Sequence, residues 1–148
     1  MTREKFKEIA EKFYTNFKID NELAIAGLSL LANDSIKFLY THQAFLVQAL
    51  KEYMVSKEEL VEHAREVMFK KQEEYSSKEY ADIFANFDLA GRILNCSKVD
   101  VCKGYMTKHT VSISMLSEEA SKEVVLEKCG DLLNYLIILE ALLLEAHS

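Results

Sequence analysis

Glu127, Asp131, Asn134 and Ile138 follow one another at intervals of four, three and four residues. On a helix that spacing puts them on one face. Two carboxylates one turn apart are oxygen donors of the kind a hard cation such as Mg²⁺ accepts, with water completing its shell. Asn134 carries the polar row into the stretch LLNYLIILEALLL at 132–144, which only Asn134 and Glu140 interrupt. A helix that is apolar all round is buried all round. Carboxylates running into such an element need a metal, a cation or hydrogen bonds to offset desolvation. The same spacing also fits a solvated helix start on which Glu127 pairs with a lysine. Asn134 adds weight to a site, because an amide on an otherwise apolar helix needs a partner.

Three other groups carry chemistry. Lys71 and Glu74, with Tyr75, extend the apolar stripe Leu60, Ala64, Val67 and Met68. Functionally, Lys71 is a phosphate contact and Glu74 a ligand or catalytic base; structurally, the same residues are a helix end emerging into solvent. Lys108 and His109 form a cationic pair in mid-helix. His109 lies on an apolar stripe and reads as a satisfied core histidine, whereas Lys108 either meets phosphate or neutralises Glu127. In IFANF (83–87), Asn86 stands between two phenylalanines, as a surface amide or one that reads a base. No serine, cysteine and histidine arrangement suggests a nucleophile. Gly27, Gly91, Gly104 and Gly130 are isolated, so no glycine-rich phosphate loop exists; Gly104 and Gly130 suit close helix packing.

The elements that must position these residues are helices. The 148 residues contain no proline and only 4 glycines, which argues against hairpins and α/β loops. The length fits one domain, 1–148, with a real core. Helical periodicity covers 3–18 (Phe6, Ile9, Ala10, Phe13, Phe17), 22–32, about 36–54, 57–75, 78–94, 98–116 and about 121–146. Asn33, Asp34 and Ser35 offer capping before the third of these, and Ser56 with Glu59 forms a capping box before the fourth. The expectation is an all-α bundle of about seven helices. Residues 1–55, rich in aromatic and small apolar side chains, read as an N-terminal helical layer added to a core of 56–148.

Charge and cysteines limit the partners. The formal net charge is -6, with 24 acidic against 18 basic residues, which excludes duplex nucleic acid as an expected ligand. A small phosphorylated ligand remains open to an acidic protein through a divalent metal. Cys96, Cys102 and Cys129 form no CxxC pair and read as reduced thiols of a cytoplasmic protein. The N-terminus MTREKFKEIAEKF has no apolar signal core, and 132–144 is too short for a bilayer span, so no membrane partner is expected. A helix apolar on every side also predicts a homo-oligomer, a dimer or higher, in which a second copy helps to cover 121–146.

Four segments together resemble a known family: KKQEEYSS (70–77), DIFANFDLA (82–90), YMTKHTVSI (105–113) and EKCGDLLNYLIILEALL (127–143). They are similar to small phage and prophage proteins of the nucleotide-modification-associated domain, grouped near the all-α MazG-like nucleoside triphosphate pyrophosphohydrolases. The resemblance covers about half the chain, and GDLLNYL at 130–136 is its most specific piece. It implies a MazG-like helical core, an oligomer, and a Mg²⁺-dependent enzyme that hydrolyses a nucleotide between its α and β phosphates. It further implies that acidic residues from two facing helices bind the Mg²⁺; in this chain the residues read for that chemistry are Glu127 and Asp131 for metal, Glu74 as ligand or base, and Lys71, Asn86, Lys108 and Asn134 for nucleotide contacts. The chain departs from the family pattern at two places. The acidic EExxE motif is replaced on helix 98–116 by Lys108, His109 and Ser112. The family's ExxD reads Lys128 to Asp131, with Glu127 one position earlier. These departures leave a second expectation, a non-catalytic protein that sequesters a nucleotide or a nucleotide immune signal. A phage-encoded chain would act in the host cytoplasm.

Overall fold

The computed structural model describes residues 1–19, 33–75 and 82–146. Among these residues the secondary structure is entirely helical, with six helices: α1 (Arg3–Ile19), α2 (Asn33–Glu52), α3 (Lys57–Tyr75), α4 (Ala85–Leu94), α5 (Lys98–Ser114) and α6 (Lys122–Ala146). The expected helix at 22–32 lies outside the described residues. So do the side chains of Glu74 and Tyr75, although α3 carries both positions in helical register.

α6 is the axis of the molecule. α1, α2, α3 and α5 all pack against it, and their directions follow from who meets whom. α1 runs antiparallel to α6, with Met1 near Glu145 and Tyr14 near Asn134. α3 runs antiparallel to α1, with Lys57 over Phe17 and Arg65 paired with Glu11, and therefore parallel to α6. α5 opposes α6, with Lys98 near Glu145 and His109 near Asp131.

This arrangement answers the demand made by the apolar run. Leu132, Leu133, Leu136, Ile137, Leu139 and Ala141 are fully buried within the single chain. The expectation of an oligomer drew on a need for cover from a second copy, and here the chain's own helices give that cover. The helices of 1–55 are not peripheral to this core. Phe6, Ala10, Phe13, Tyr14 and Phe17 of α1 and Leu39, Leu46, Ala49 and Leu50 of α2 belong to the same cluster as the leucines of α6.

Local chemistry sets the boundaries. The capping box forms: the Glu59 amide donates to Ser56 Oγ at 3.1 Å, and the Ser56 hydroxyl donates to the Glu59 carboxylate at 3.2 Å. Ser97 caps α5 by accepting from the Asp100 amide at 3.1 Å. α2 already includes 33–35, which were expected to precede it as a cap. α4 starts at Ala85 rather than at 78. Asp82 takes the Phe84 amide onto its side chain at 2.9 Å and the Ala85 amide onto its carbonyl at 3.2 Å, a local turn that competes with helix. α4 ends at Asn95, which adopts the left-handed conformation (φ 56°). Cys96 then folds back over Gly91, where a Cβ would lie 2.7 Å from the Cys96 carbonyl. Leu94 is exposed at this turn, as are Leu89 and Ile93.

Candidate functional site

α3 and α6 cross where Gly130 meets Ala64. A Cβ on Gly130 would stand 3.1 Å from the His63 ring and 3.7 Å from the Ala64 Cβ, so glycine lets the two helices approach closely. Asn134, one turn on, locks the crossing: its amide NH₂ donates to the Ala64 carbonyl at 2.9 Å and its oxygen accepts from the Tyr14 hydroxyl at 2.7 Å. Asn134 is therefore the buried tie of three helices, and its partners are protein groups. Burial raises the Tyr14 hydroxyl above its ordinary pKa, so it stays a donor.

Beside this crossing the two helices leave a groove of about 530 Å³. Its walls are two rows at helical spacing, His63, Val67 and Lys71 from α3 and Glu123, Glu127 and Asp131 from α6, with Leu126 between. Three of the residues singled out from sequence, Lys71, Glu127 and Asp131, thus meet at one place. Sequence reasoning missed Glu123 and His63. The signal was present, because Glu123 stands four residues before Glu127 and His63 eight before Lys71.

Asp131 also faces α5. Its Oδ2 lies 4.0 Å from Nδ1 of His109, longer than a hydrogen bond. The His109 ring lies nearly flat on Tyr135 at 5.0 Å. Burial lowers the His109 pKa below the usual imidazole value. Asp131 opposes that shift, while the charges of Lys108, Lys128 and Lys71 add to it. Lys71 of α3, Lys108 of α5 and Lys128 of α6 are thus near enough for their charges to act on His109, in a protein whose net charge is -6. His109, expected in the core, is half-buried.

The remaining positions spread out. Lys108 is exposed on α5, near His109 but outside the groove lining. Asn86 is exposed on α4, also outside it. Glu74 is three positions beyond Lys71 on α3. Among the described residues no group of three or more His, Cys, Asp or Glu side chains could hold a metal ion by itself. Glu127 and Asp131 have the right chemistry for a hard cation but supply only part of a shell; such a site is completed by water and ligand oxygens. Burial pushes the Cys102 thiol up to about 12 and the Cys129 thiol to about 11, so neither is a ready nucleophile. No described helix is long and apolar enough to cross a membrane.

Compared with models of protein families, with curated proteins and with solved structures, the chain has no match.

Proposed function

We propose that the α3–α6 groove and its α5 rim bind the phosphates of a nucleotide with Mg²⁺, and that the protein is a Mg²⁺-dependent nucleotide pyrophosphohydrolase or a close relative of one. The observation that carries this reading is the meeting of Lys71, Glu127 and Asp131 in one groove, with Lys108 and Lys128 beside His109 at its edge. Clustered lysines suit a polyanion. Paired carboxylates among them suit a cation that the polyanion brings along. The size of the groove lies in the range of small-ligand pockets. The resemblance of 70–77, 82–90, 105–113 and 127–143 to the nucleotide-modification-associated and MazG-like proteins supports the same ligand class.

Glu127 and Asp131 would hold the cation, which when bound neutralises phosphate charge. His109 stands beside Asp131 at the rim, 4.0 Å away. Lys71, Lys108 and Lys128 bind and orient the phosphates. Glu74, one turn past Lys71 on α3, is the candidate to take a proton from attacking water. Asn134 is not among the binding groups, because its polar atoms serve Tyr14 and Ala64.

A second reading has its own support. Among the described residues no three His, Cys, Asp or Glu side chains converge as a complete metal-binding group, which favours holding a nucleotide over turning it over. On this reading the protein sequesters a nucleotide or a nucleotide signal. The decisive experiment incubates the full chain with a panel of nucleoside triphosphates and Mg²⁺ and assays monophosphate and pyrophosphate. Calorimetric titration and mass spectrometry of nucleotides released on denaturation run alongside. Turnover lost in Asp131→Asn supports the enzyme. Binding without turnover supports sequestration. If nothing binds, and Asp131→Asn only lowers the melting temperature, the groove is architecture.

A further inference from the structure

Tyr135 is the centre of a row of rings that leads out of the lysine cluster. Tyr105 and His109, four residues apart on α5, both lie roughly flat against it, at 5.7 and 5.0 Å between centroids and 32° and 27° between planes. Phe87 of α4 meets Tyr105 and Tyr135 edge-on, at 6.1 and 6.5 Å and 79° and 81°. Edge-to-face contacts of this kind hold rings in a fixed orientation. The inner rings are half-buried, but Tyr105 is 42% exposed. A tyrosine held by its neighbours and open to solvent loses little freedom when something lies on it.

The other end of the row is His109, 4.0 Å from Asp131. An aromatic platform and a cationic cluster thus share α5 and α6. Tyr105 and His109 are one helical turn apart, about 5–6 Å between Cβ atoms, an interval that a sugar bridges. A ligand that satisfies both ends has a planar ring at one end and phosphates at the other.

We propose that Tyr105 is the stacking platform for the nucleobase, with the phosphates lying toward Asp131, Lys71 and Lys108. This rests on the reading of the groove as a nucleotide site and adds how the base is recognised. Every base has a π face, so stacking is tolerant of base identity. The ligand class is accordingly nucleoside phosphates at large, distinguished from inorganic polyphosphate by the base.

The test titrates the full chain, with Mg²⁺, against each of four ribonucleoside triphosphates and against inorganic tripolyphosphate. The nucleotides should bind about tenfold or more tightly than tripolyphosphate. Tyr105→Ala should bring nucleotide affinity down to the tripolyphosphate level and leave tripolyphosphate itself unchanged, while Tyr105→Phe keeps most of the difference. In the unmodified chain, the NMR signals of the Tyr105 ring should shift on adding nucleotide and stay still on adding tripolyphosphate, a readout that does not depend on any variant folding. Equal binding of the two ligand kinds, lost in Asp131→Asn but indifferent to Tyr105→Ala, would overturn the platform and spare the phosphate site. No binding of either ligand would overturn the nucleotide reading, and the platform with it.

Discussion

Asp131 and Asn134 share one face of α6, three residues apart, and have opposite surroundings. Asn134 is buried, with a hydrogen-bond partner on α1 and another on α3. Asp131 is half-buried, lines a groove and faces a histidine and lysines. The difference lies in their neighbours. At Asn134, α1 closes the space over the α3–α6 crossing through Tyr14. At Asp131 the facing side chains are long and charged, and the two helix rows stand apart. One polar stripe is therefore two things: its end inside the apolar run is a structural tie, and its end before that run lines an open groove. A polar residue on a buried helix becomes architecture where a neighbouring helix brings its hydrogen-bond partner, and stays available where none does.

The sharpest way to break this division is to put a charge where the chain itself has closed the core. Leu136, fully buried on α6, has no partner for a carboxylate. Leu136→Asp should cost about 4 kcal/mol or more, close to the whole stability of a domain this size. Circular dichroism should report a largely unfolded chain at 25 °C. A folded Leu136→Asp protein would mean that α6 is not the sealed axis described above.

Much of this was legible in sequence, and the reasons differ by feature. Missing prolines and 3.6-residue periodicity point to helices, and Phe6, Ala10, Phe13 and Phe17 of α1 and Leu60, Ala64 and Met68 of α3 lie inside as expected, because periodicity reports burial directly. The capping box at Ser56 was legible because it is a local interaction. The start of α4 was not, because Asp82 spends its side chain on a turn that the stripe Ile83, Phe84 and Phe87 does not reveal. Glu127 and Asp131 were legible as a pair from their own helix. That Lys71 faces them depends on how α3 crosses α6, which Gly130, Ala64 and Asn134 decide together. The role of Asn134 was hidden for the same reason: Tyr14 lies 120 residues away in sequence.

The structural half of the comparison is sharpened at the tie itself. Asn134→Ala leaves a buried Tyr14 hydroxyl and the Ala64 carbonyl without their partner, and should cost about 2–4 kcal/mol. Tyr14→Phe removes one bond and one hydroxyl together, and should cost about 1 kcal/mol. Because the two residues share a bond, the double variant should cost less than the sum, as read by urea denaturation. At temperatures where Asn134→Ala remains folded, its Mg²⁺ and nucleotide affinities should match those of the unmodified chain. A selective loss of affinity would return Asn134 to the binding site and erase the division from Asp131.

The smallest effect belongs to the ligand half and is read through pH. Burial lowers the His109 pKa in the folded chain, with Lys108, Lys128 and Lys71 adding to the shift and Asp131 opposing it. The unfolded chain takes up a proton at the ordinary imidazole value, near 6.5, before the folded chain does. Stability therefore carries the full contribution of neutral His109 above about pH 6.5, and loses it as pH falls from there toward the lowered folded value. His109→Gln should remove this component, so the fall in melting temperature between pH 7.5 and pH 5.5 should be shallower than in the unmodified chain. Asp131→Asn acts in the opposite direction. It deletes a charge that favours the imidazolium, lowers the His109 pKa further and steepens the fall. An NMR titration of the His109 ring should show the same order directly, with its pKa lower in Asp131→Asn than in the unmodified chain. An unchanged His109 titration in Asp131→Asn would mean that the 4.0 Å contact carries no electrostatic coupling, and that Asp131 belongs to the groove alone.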